Sequence, residues 1–533
     1  MAIVNQFTDK KVLIIDDLVG MRTQLQLSLT HCGFEKLHVV SNIKDAISRI
    51  QSGKYEIILC DYVLGDSTNG QQFLEYLRGK HLINFDTIFI MITAERSYEK
   101  VVAAADCEPD DYVVKPFTAD QLLGRLMKLM DRRERFAAVN RARDARAWRK
   151  VVAECDAIIA AQDKYLTEAT KIKGEALLAG GNAVEAETLY AEMLAVRPLP
   201  WARLGLAKAT AMLGRKDEAA TIARGIIAEN GEFLGAYDFL GGVLVAAGKK
   251  DEALQVLQTA REISPGTLAR VRNIGSLAVD AGQYEITEQV LREALNKNKY
   301  SAVREAQDYA LLSRALSAQG KADEALAVLK ETTFKDAASN MLLAASESIA
   351  HCAAGNNELA EAALAKVFDA SHGNLPPNIA AAVADACFML GKNDKAMELL
   401  KQVVQDNPDD ALLHAKARAV LSVSGKGEEE AAAIVDACMR EIFQINNDGV
   451  RKAEAGHFGE AIPLLRDAAD RLPNNLQIVG NTALAMALDM MRNGYSVLKM
   501  NECMRYRQMV ADKSSDHPRL AQVDTVLKQV KKS

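Results

Sequence analysis

The segment KVLIIDD (11–17) sets a short run of Val, Leu and Ile directly against two carboxylates, and the layout recurs along the first quarter of the chain. YEIILCD (55–61), TIFIMIT (87–93) and DYVVKPF (111–117) repeat it, and a weaker run, KLHVV (36–40), lies between the first two. Each run is followed by a helix-like mixture of polar and apolar residues. Continuous apolar runs alternating with helical segments predict a parallel sheet covered on both faces by crossover helices. The count is five βα units, so the expected fold of residues 1–130 is an α/β, doubly wound, five-stranded parallel sheet.

In such sheets chemistry gathers beyond the carboxyl ends of the strands, and here those ends carry the polar residues. Asp16 and Asp17 close the first run, Asp61 the third and Thr93 the fourth, while Lys115 lies late in the fifth. Three carboxylates converging at one edge repel one another unless a cation is supplied. Mg²⁺ meets that need, because it prefers oxygen ligands, keeps several waters and also engages a phosphoryl group. Lys115 adds a second positive charge, the Thr93 hydroxyl can donate to the same anion, and Ala94 leaves room beside it. Taken singly, each residue has a duller role: a helix cap, strand packing or a turn. The joint pattern points to phosphate chemistry.

In type and order, the pair Asp16/Asp17, the strand-end Asp61, Thr93 before small Ala94, aromatic Tyr112 and Lys115-Pro116 resemble the receiver domain of two-component response regulators. The resemblance implies a flavodoxin-like fold with Asp61 as phosphoacceptor. It implies Mg²⁺ held by Asp16, Asp17, Asp61 and the backbone carbonyl of Val63, Lys115 on the phosphoryl oxygens, and Thr93 and Tyr112 as a switch pair. The donor would be a histidine kinase or a phosphotransfer protein. Two features depart from the family pattern. The loop YVLGDSTNG (62–70) lacks the usual proline and is slightly long, and the Val63 side chain cannot orient a water, which predicts slow self-dephosphorylation.

A connector, 131–165, has no Pro or Gly and places Phe136, Val139, Trp148, Val152, Cys155 and Ile159 at helical spacing. Its first part is basic: residues 125–150 hold ten Lys or Arg against three acidic residues, a net +7. Such a helix can contact nucleic acid or an acidic membrane surface, or simply lie over the first domain or an acidic repeat surface.

Residues 166–475 repeat. GEALLAGGNAVEAETLYAEMLAVRP (174–198), LGGVLVAAGKKDEALQVLQTAREISP (240–265) and NDGVRKAEAGHFGEAIPLLRDAADRLPNN (447–475) share one layout. A small residue is followed seven later by Gly, five later by Ala, four later by a bulky apolar residue, then by Pro. Gly181, Gly214, Gly248, Gly282, Gly320, Gly355, Gly391 and Gly456 each precede by five residues Ala186, Ala219, Ala253, Thr287, Ala325, Ala360, Ala396 and Ala461. Gly ends a helix A where the chain turns, Ala lets helix B approach A closely, and Pro ends B. The pattern resembles the tetratricopeptide repeat (TPR), which implies an all-α superhelical solenoid with a groove lined by A helices. A degraded unit is expected near SGKGEEEAAAIV (424–435), and capping helices over 476–533. Arg203, Asp238 and Arg272 are candidates for the groove face, whose ligand, a protein or peptide, the sequence does not identify.

The bulk numbers narrow the function. A chain of 533 residues exceeds a single core, and a net charge of -6 supplies no overall field for DNA. The eight cysteines form no CxxC pair and read as reduced core filler, with neither disulfide nor zinc site. MAIVNQFTDKK (1–11) lacks a signal-peptide core and no uncharged apolar run reaches the roughly 18 residues of a membrane span, which predicts a cytoplasmic protein. No motif for a second catalytic centre interrupts the repeats. The expected protein is a phosphorylation-controlled adaptor, whose receiver re-poses the array or binds a second copy in a homodimer. A phosphate sink for a kinase, and a constitutive scaffold with a silent receiver, are the alternatives.

Overall fold

A computed structural model describes residues 7–530 apart from 66–67, 95–108, 163, 266, 298–302, 372–374, 407–410, 474 and 514–516. The chain divides into two compact units, 1–274 with 290–304, and 275–289 with 305–533.

The first unit opens with the predicted sheet. Strands β1 (Lys11–Ile15), β2 (Lys36–Val40), β3 (Ile57–Asp61), β6 (Ile88–Thr93) and β7 (Asp111–Val114) lie parallel in the order β2-β1-β3-β6-β7. A short antiparallel hairpin, β4 (Val63–Leu64) and β5 (Thr68–Asn69), follows β3. The central strands β1, β3 and β6 are almost wholly apolar and buried because both faces are covered, while the edge strands β2 and β7 are largely part-exposed. Leu13, Ile15, Ile58, Cys60, Phe89 and Met91 fill one side, and Val12, Ile14, Ile57, Leu59, Ile90 and Ile92 the other. Helices α1 (Val19–His31), α2 (Ile43–Ser52) and α3 (Gly70–Gly79) form the described crossovers, and α4 (Ala119–Arg135) follows the last strand. Asn42 accepts from the Asp45 amide to start α2, and capping boxes Asn69/Gln72 and Thr118/Gln121 start α3 and α4. Residues 95–108, where the sequence predicts a helical segment and which include Cys107, lie outside the described residues.

The connector is several helices rather than one. α4 runs on to Arg135, across the boundary expected at 130; α5 (Ala137–Asp144) and α6 (Trp148–Ala160) follow, with Arg146 at φ 53 between them. Phe136, Val139 and Cys155 are buried as the spacing suggests, but α6 turns Val151 and Ile158 deepest and leaves Val152 and Ile159 part-exposed. The basic residues are largely spent within the unit. Arg132 bonds Asp110 and Glu168, Arg133 bonds Asp110 and the carbonyls of Phe85 and Thr87, Arg143 lies 3.8 Å over the Phe85 ring, and Asn140 donates to Asp86. Of the readings left open, this packing favours a connector laid over the first domain.

Helix pairs then follow: Leu166–Ala179 with Ala183–Val196, Pro200–Met212 with Lys216–Glu229, and Leu234–Ala246 with Lys250–Ile263 in the first unit. In the second unit the pairs are Ala306–Ala318 with Ala322–Lys330, Ala337–Ala353 with Asn357–Ser371, and Pro377–Met389 with Asn393–Asp406. Each predicted turn glycine has positive φ, from 71° at Gly391 to 85° at Gly214, the left-handed conformation that lets a helix end in a tight turn. Gly425, at φ 94, supplies the turn of the degraded unit between Ala411–Val423 and Glu428–Glu454. That unit escapes the pattern because its buried Ala431 comes six residues after the glycine. Its helix B also runs unbroken for 27 residues into the next helix A, with no proline to stop it. The C-terminal helices Leu476–Asn493, Val497–Lys513 and Pro518–Leu527 share a core with Phe458, Ile462 and Leu465.

The small-then-bulky spacing is a packing rule between the paired helices. Cβ atoms added at Gly174, Gly241 and Gly449 would lie 2.5 Å from Tyr190, 2.9 Å from Leu257 and 2.7 Å from Leu465, each the predicted bulky partner. Tyr190 is held on two sides, because a Cβ at Gly205 of the next helix A would also overlap its ring. Gly205→Ala is therefore expected to lose about 1–3 kcal/mol by overpacking, despite the roughly 1 kcal/mol that alanine gains in a helix. Urea unfolding of that variant and of Gly205→Ala/Tyr190→Leu reads it; a double variant no more tolerant than the sum of the singles contradicts the clash. Thr287, which replaces the usual alanine, fits because its buried hydroxyl donates to the Gly275 carbonyl at 2.9 Å. Ser348 makes the mirror-image bond to the Ala360 carbonyl at 2.8 Å.

The seven cysteines among the described residues are free thiols, buried or half-buried. No helix among the described residues is long and apolar enough to cross a membrane.

Candidate active site

Four of the predicted side chains meet beyond the carboxyl ends of β1, β3 and β7. Asp16 and Asp17 follow β1 and Asp61 ends β3, and their carboxylate oxygens lie within 4.8 Å of one another. Asp16 and Asp61 are buried and Asp17 is exposed, so the cluster opens to solvent on one side. Lys115 Nζ stands 3.1 Å from Asp16 and 3.0 Å from Asp61, bridging the two buried acids. It is aimed there by its backbone: Lys115 N donates to the Thr93 carbonyl at 2.7 Å, and a cis peptide joins Lys115 to Pro116. Asp16 is fixed by the Leu18 amide at 2.9 Å on its carboxylate and by Arg22 Nη1 at 2.6 Å on its carbonyl.

Burial pushes the Asp61 carboxyl above the ordinary carboxylate range; Lys115 opposes the shift and Asp16 adds to it. Such a group gains most from a cation placed among the three acids, and the donor set, all hard oxygen, fits Mg²⁺. Val63, the expected carbonyl ligand, lies two residues beyond Asp61 in β4 with an exposed side chain. Thr93 is buried at the end of β6, Ala94 beside it is exposed, and Tyr112 is half-buried in β7 paired in register with Met91.

Arg22 escaped the sequence reading because its role, holding a backbone carbonyl, depends on a tertiary approach. Gly70 had a readable signal, a glycine two residues after the threonine of the unusual loop. A Cβ there would fall 2.6 Å from the Asp61 carbonyl and 2.5 Å from Met91 Sδ, so only glycine lets α3 start so close to Asp61.

The groove candidates Asp238 and Arg203 are held in ion pairs. Asp238 receives a bidentate pair from Arg270, at 2.9 and 2.7 Å, and Arg270 is only 3% exposed. Arg203 is paired with Glu229, and Arg272 is half-buried. Asp238 and Arg203 thus hold neighbouring helices together. The second unit carries a cluster that the pattern did not reveal: Arg314 lies 3.0 Å from Asp385, and Lys416 and Asp280 interact electrostatically with them. Burial holds the Lys416 ammonium below its usual range; Arg314 lowers it further and the two aspartates oppose this.

The sheet order, the acidic corner and the bridging lysine define an α/β domain with a carboxylate cluster at its strand ends, and the helix pairs define a repeat array. Comparison with known proteins agrees. Residues 12–127 match the response regulator receiver domain and residues 352–420 the tetratricopeptide repeat, so the chain joins a receiver domain to TPR repeats. The receiver part is 29% identical over 131 residues to Chemotaxis protein CheY-3 of Vibrio cholerae, covering 25% of this chain and 98% of that protein. It is also 29% identical over 122 residues to Chemotaxis protein CheY of Pseudomonas aeruginosa, covering 23% and 97%. Among solved structures, a tetratricopeptide repeat protein from Parabacteroides merdae aligns with TM-score 0.36 and 14% identity over 48% of this chain and 98% of its own. A thermophilic TPR protein from Thermus thermophilus aligns with TM-score 0.26 and 20% identity over 35% and 99%. The chain is a signalling regulator with a protein-interaction domain.

Proposed function

We propose that Asp61 accepts a phosphoryl group from a histidine kinase or phosphotransfer protein, and that the modification alters what the cytoplasmic TPR array binds. The observation that carries this reading is the convergence of Asp16, Asp17 and Asp61 within 4.8 Å with Lys115 bridging two of them. An Asp61 carboxylate oxygen attacks phosphorus in line; the P–N bond to the donor imidazole breaks, its electron pair stays on nitrogen, and an acyl phosphate forms. Lys115 can leave its ion pair with Asp61 to neutralise the transferred oxygens, and the Thr93 hydroxyl can donate to one of them. Mg²⁺, held by Asp16, Asp17, Asp61 and the Val63 carbonyl, would supply charge neutralisation for the incoming group. The Val63 side chain offers nothing to orient a hydrolytic water, so the acyl phosphate decays slowly.

The test is incubation of the whole chain with a small phosphodonor such as phosphoramidate. Intact mass should rise by one phosphoryl group with Mg²⁺ and not with EDTA. Unchanged mass in both would favour the silent scaffold instead.

A further inference from the structure

The hairpin after the acceptor is tied to the active site at its base and to the repeats at its tip. At the base, the Tyr62 amide donates to the Ile92 carbonyl at 2.8 Å, one residue before Thr93, and the Gly70 amide donates to the Tyr62 carbonyl at 2.8 Å. Asn69 Nδ2 donates to the Tyr62 hydroxyl at 2.9 Å, and the hairpin register pairs Val63 with Asn69 and Leu64 with Thr68. The stem is thus bonded across β3 and β6, the strands that carry Asp61 and Thr93.

At the tip, Leu64 is 8% exposed and shares one apolar cluster with Val303, 2% exposed, and with Leu268 of the repeats. Neither Val303 nor Leu268 belongs to the receiver fold, yet Val303 is a buried member of the core cluster that also holds the receiver residues Phe73 and Leu74. Beside the contact lies a cavity of about 300 Å³, bounded by Tyr62, Val63 and Asn69 on the receiver and by Val271, Val290 and Glu293 on the repeats. Glu293 there is paired with both Arg261 and Lys297. A rigid stem, a small apolar seat and empty space beside it allow two packings of the hairpin tip, since cores move between discrete arrangements rather than deforming smoothly.

We infer that the Leu64–Leu268–Val303 seat is a latch between receiver and repeats, closed while Asp61 is unmodified and released when it is loaded. This rests on the proposed phosphorylation of Asp61 and names the contact through which it is read. Loading rearranges the groups around Asp61, the stem carries that displacement to Leu64, and the seat formed by Leu268, Val303 and the neighbouring residues 290–297 opens. A modification biases two states only through contacts that differ between them, and this seat supplies one.

Hydrogen exchange on the full chain tests it, with Mg²⁺ and beryllofluoride standing in for the phosphoryl group and ¹⁹F NMR reporting its binding. Loading should speed exchange at residues 290–297 by about fivefold or more, as expected for local release. Val303→Asp should show that faster exchange without beryllofluoride, and Val303→Ala a smaller rise, while both still bind the mimic. Bound beryllofluoride with unchanged exchange at 290–297, or a Val303→Asp protein that exchanges like the unloaded wild type, would overturn the latch and leave phosphorylation standing. Failure of the wild type to bind the mimic would remove the phosphorylation reading and the latch with it.

Discussion

Asp61→Asn is expected to slow phosphoryl uptake by more than about a thousandfold, because a carboxamide oxygen of the same shape is not a nucleophile at neutral pH. The measurement is the labelling rate with phosphoramidate and Mg²⁺, followed by intact mass. The loss should be chemical and not structural. Burial pushes the Asp61 carboxyl above its usual range, so its ionisation opposes folding as pH rises through the ordinary carboxylate value and does so fully above the raised one. Asparagine carries no such charge, and Lys115 keeps its 3.1 Å contact with Asp16. The variant should therefore unfold no more readily than wild type at pH 7 in the absence of metal. Residual labelling within about tenfold of wild type would move the acceptor to another carboxylate.

The second large effect is on stability. Asp110→Ala should cost about 3–5 kcal/mol, the usual consequence of stripping the partner from buried charge. The Asp110 side chain is 6% exposed, and its carboxylate accepts from Arg132, Arg133 and the Phe89 amide. Arg133 is 16% exposed, and burial holds its guanidinium below the usual range while Asp110 opposes the shift. Removing Asp110 leaves that charge and the Phe89 amide uncompensated where β7 begins and α4 meets the connector. Urea unfolding followed by circular dichroism reads the loss; a change below about 1 kcal/mol would mean that the cluster behaves like surface ion pairs. Because these residues hold the connector on the receiver, the same variant should loosen α5 before the distal repeats.

Much of this protein was legible in its sequence, because the signals were local and periodic. Apolar runs ending in Asp, Thr and Lys could only become strands whose polar ends share one edge, and parallel pairing brings those ends together whatever the loops do. In the repeats, a glycine needed at positive φ and a small residue seven before it recur because each helix pair solves the same steric problem. Other features are set by residues far apart in the chain, and periodicity carries no information about them. Whether α6 turns Val151 or Val152 inward depends on the helices it meets. Arg132 and Arg133 of the basic stretch are paired with Asp110, which precedes β7, and Arg132 also with Glu168 in the first repeat helix. Asp238 is anchored because Arg270, 32 positions on, folds against it. The unusual loop after Asp61 could be seen as long and lacking proline, but that Leu64 shares an apolar cluster with Val303, more than two hundred residues on, is decided only by the tertiary structure. Local sterics and strand-end chemistry thus determined the two folds and the acidic corner, while burial and long-range charge pairing, which only the assembled chain creates, decided how the receiver is fastened to its repeats.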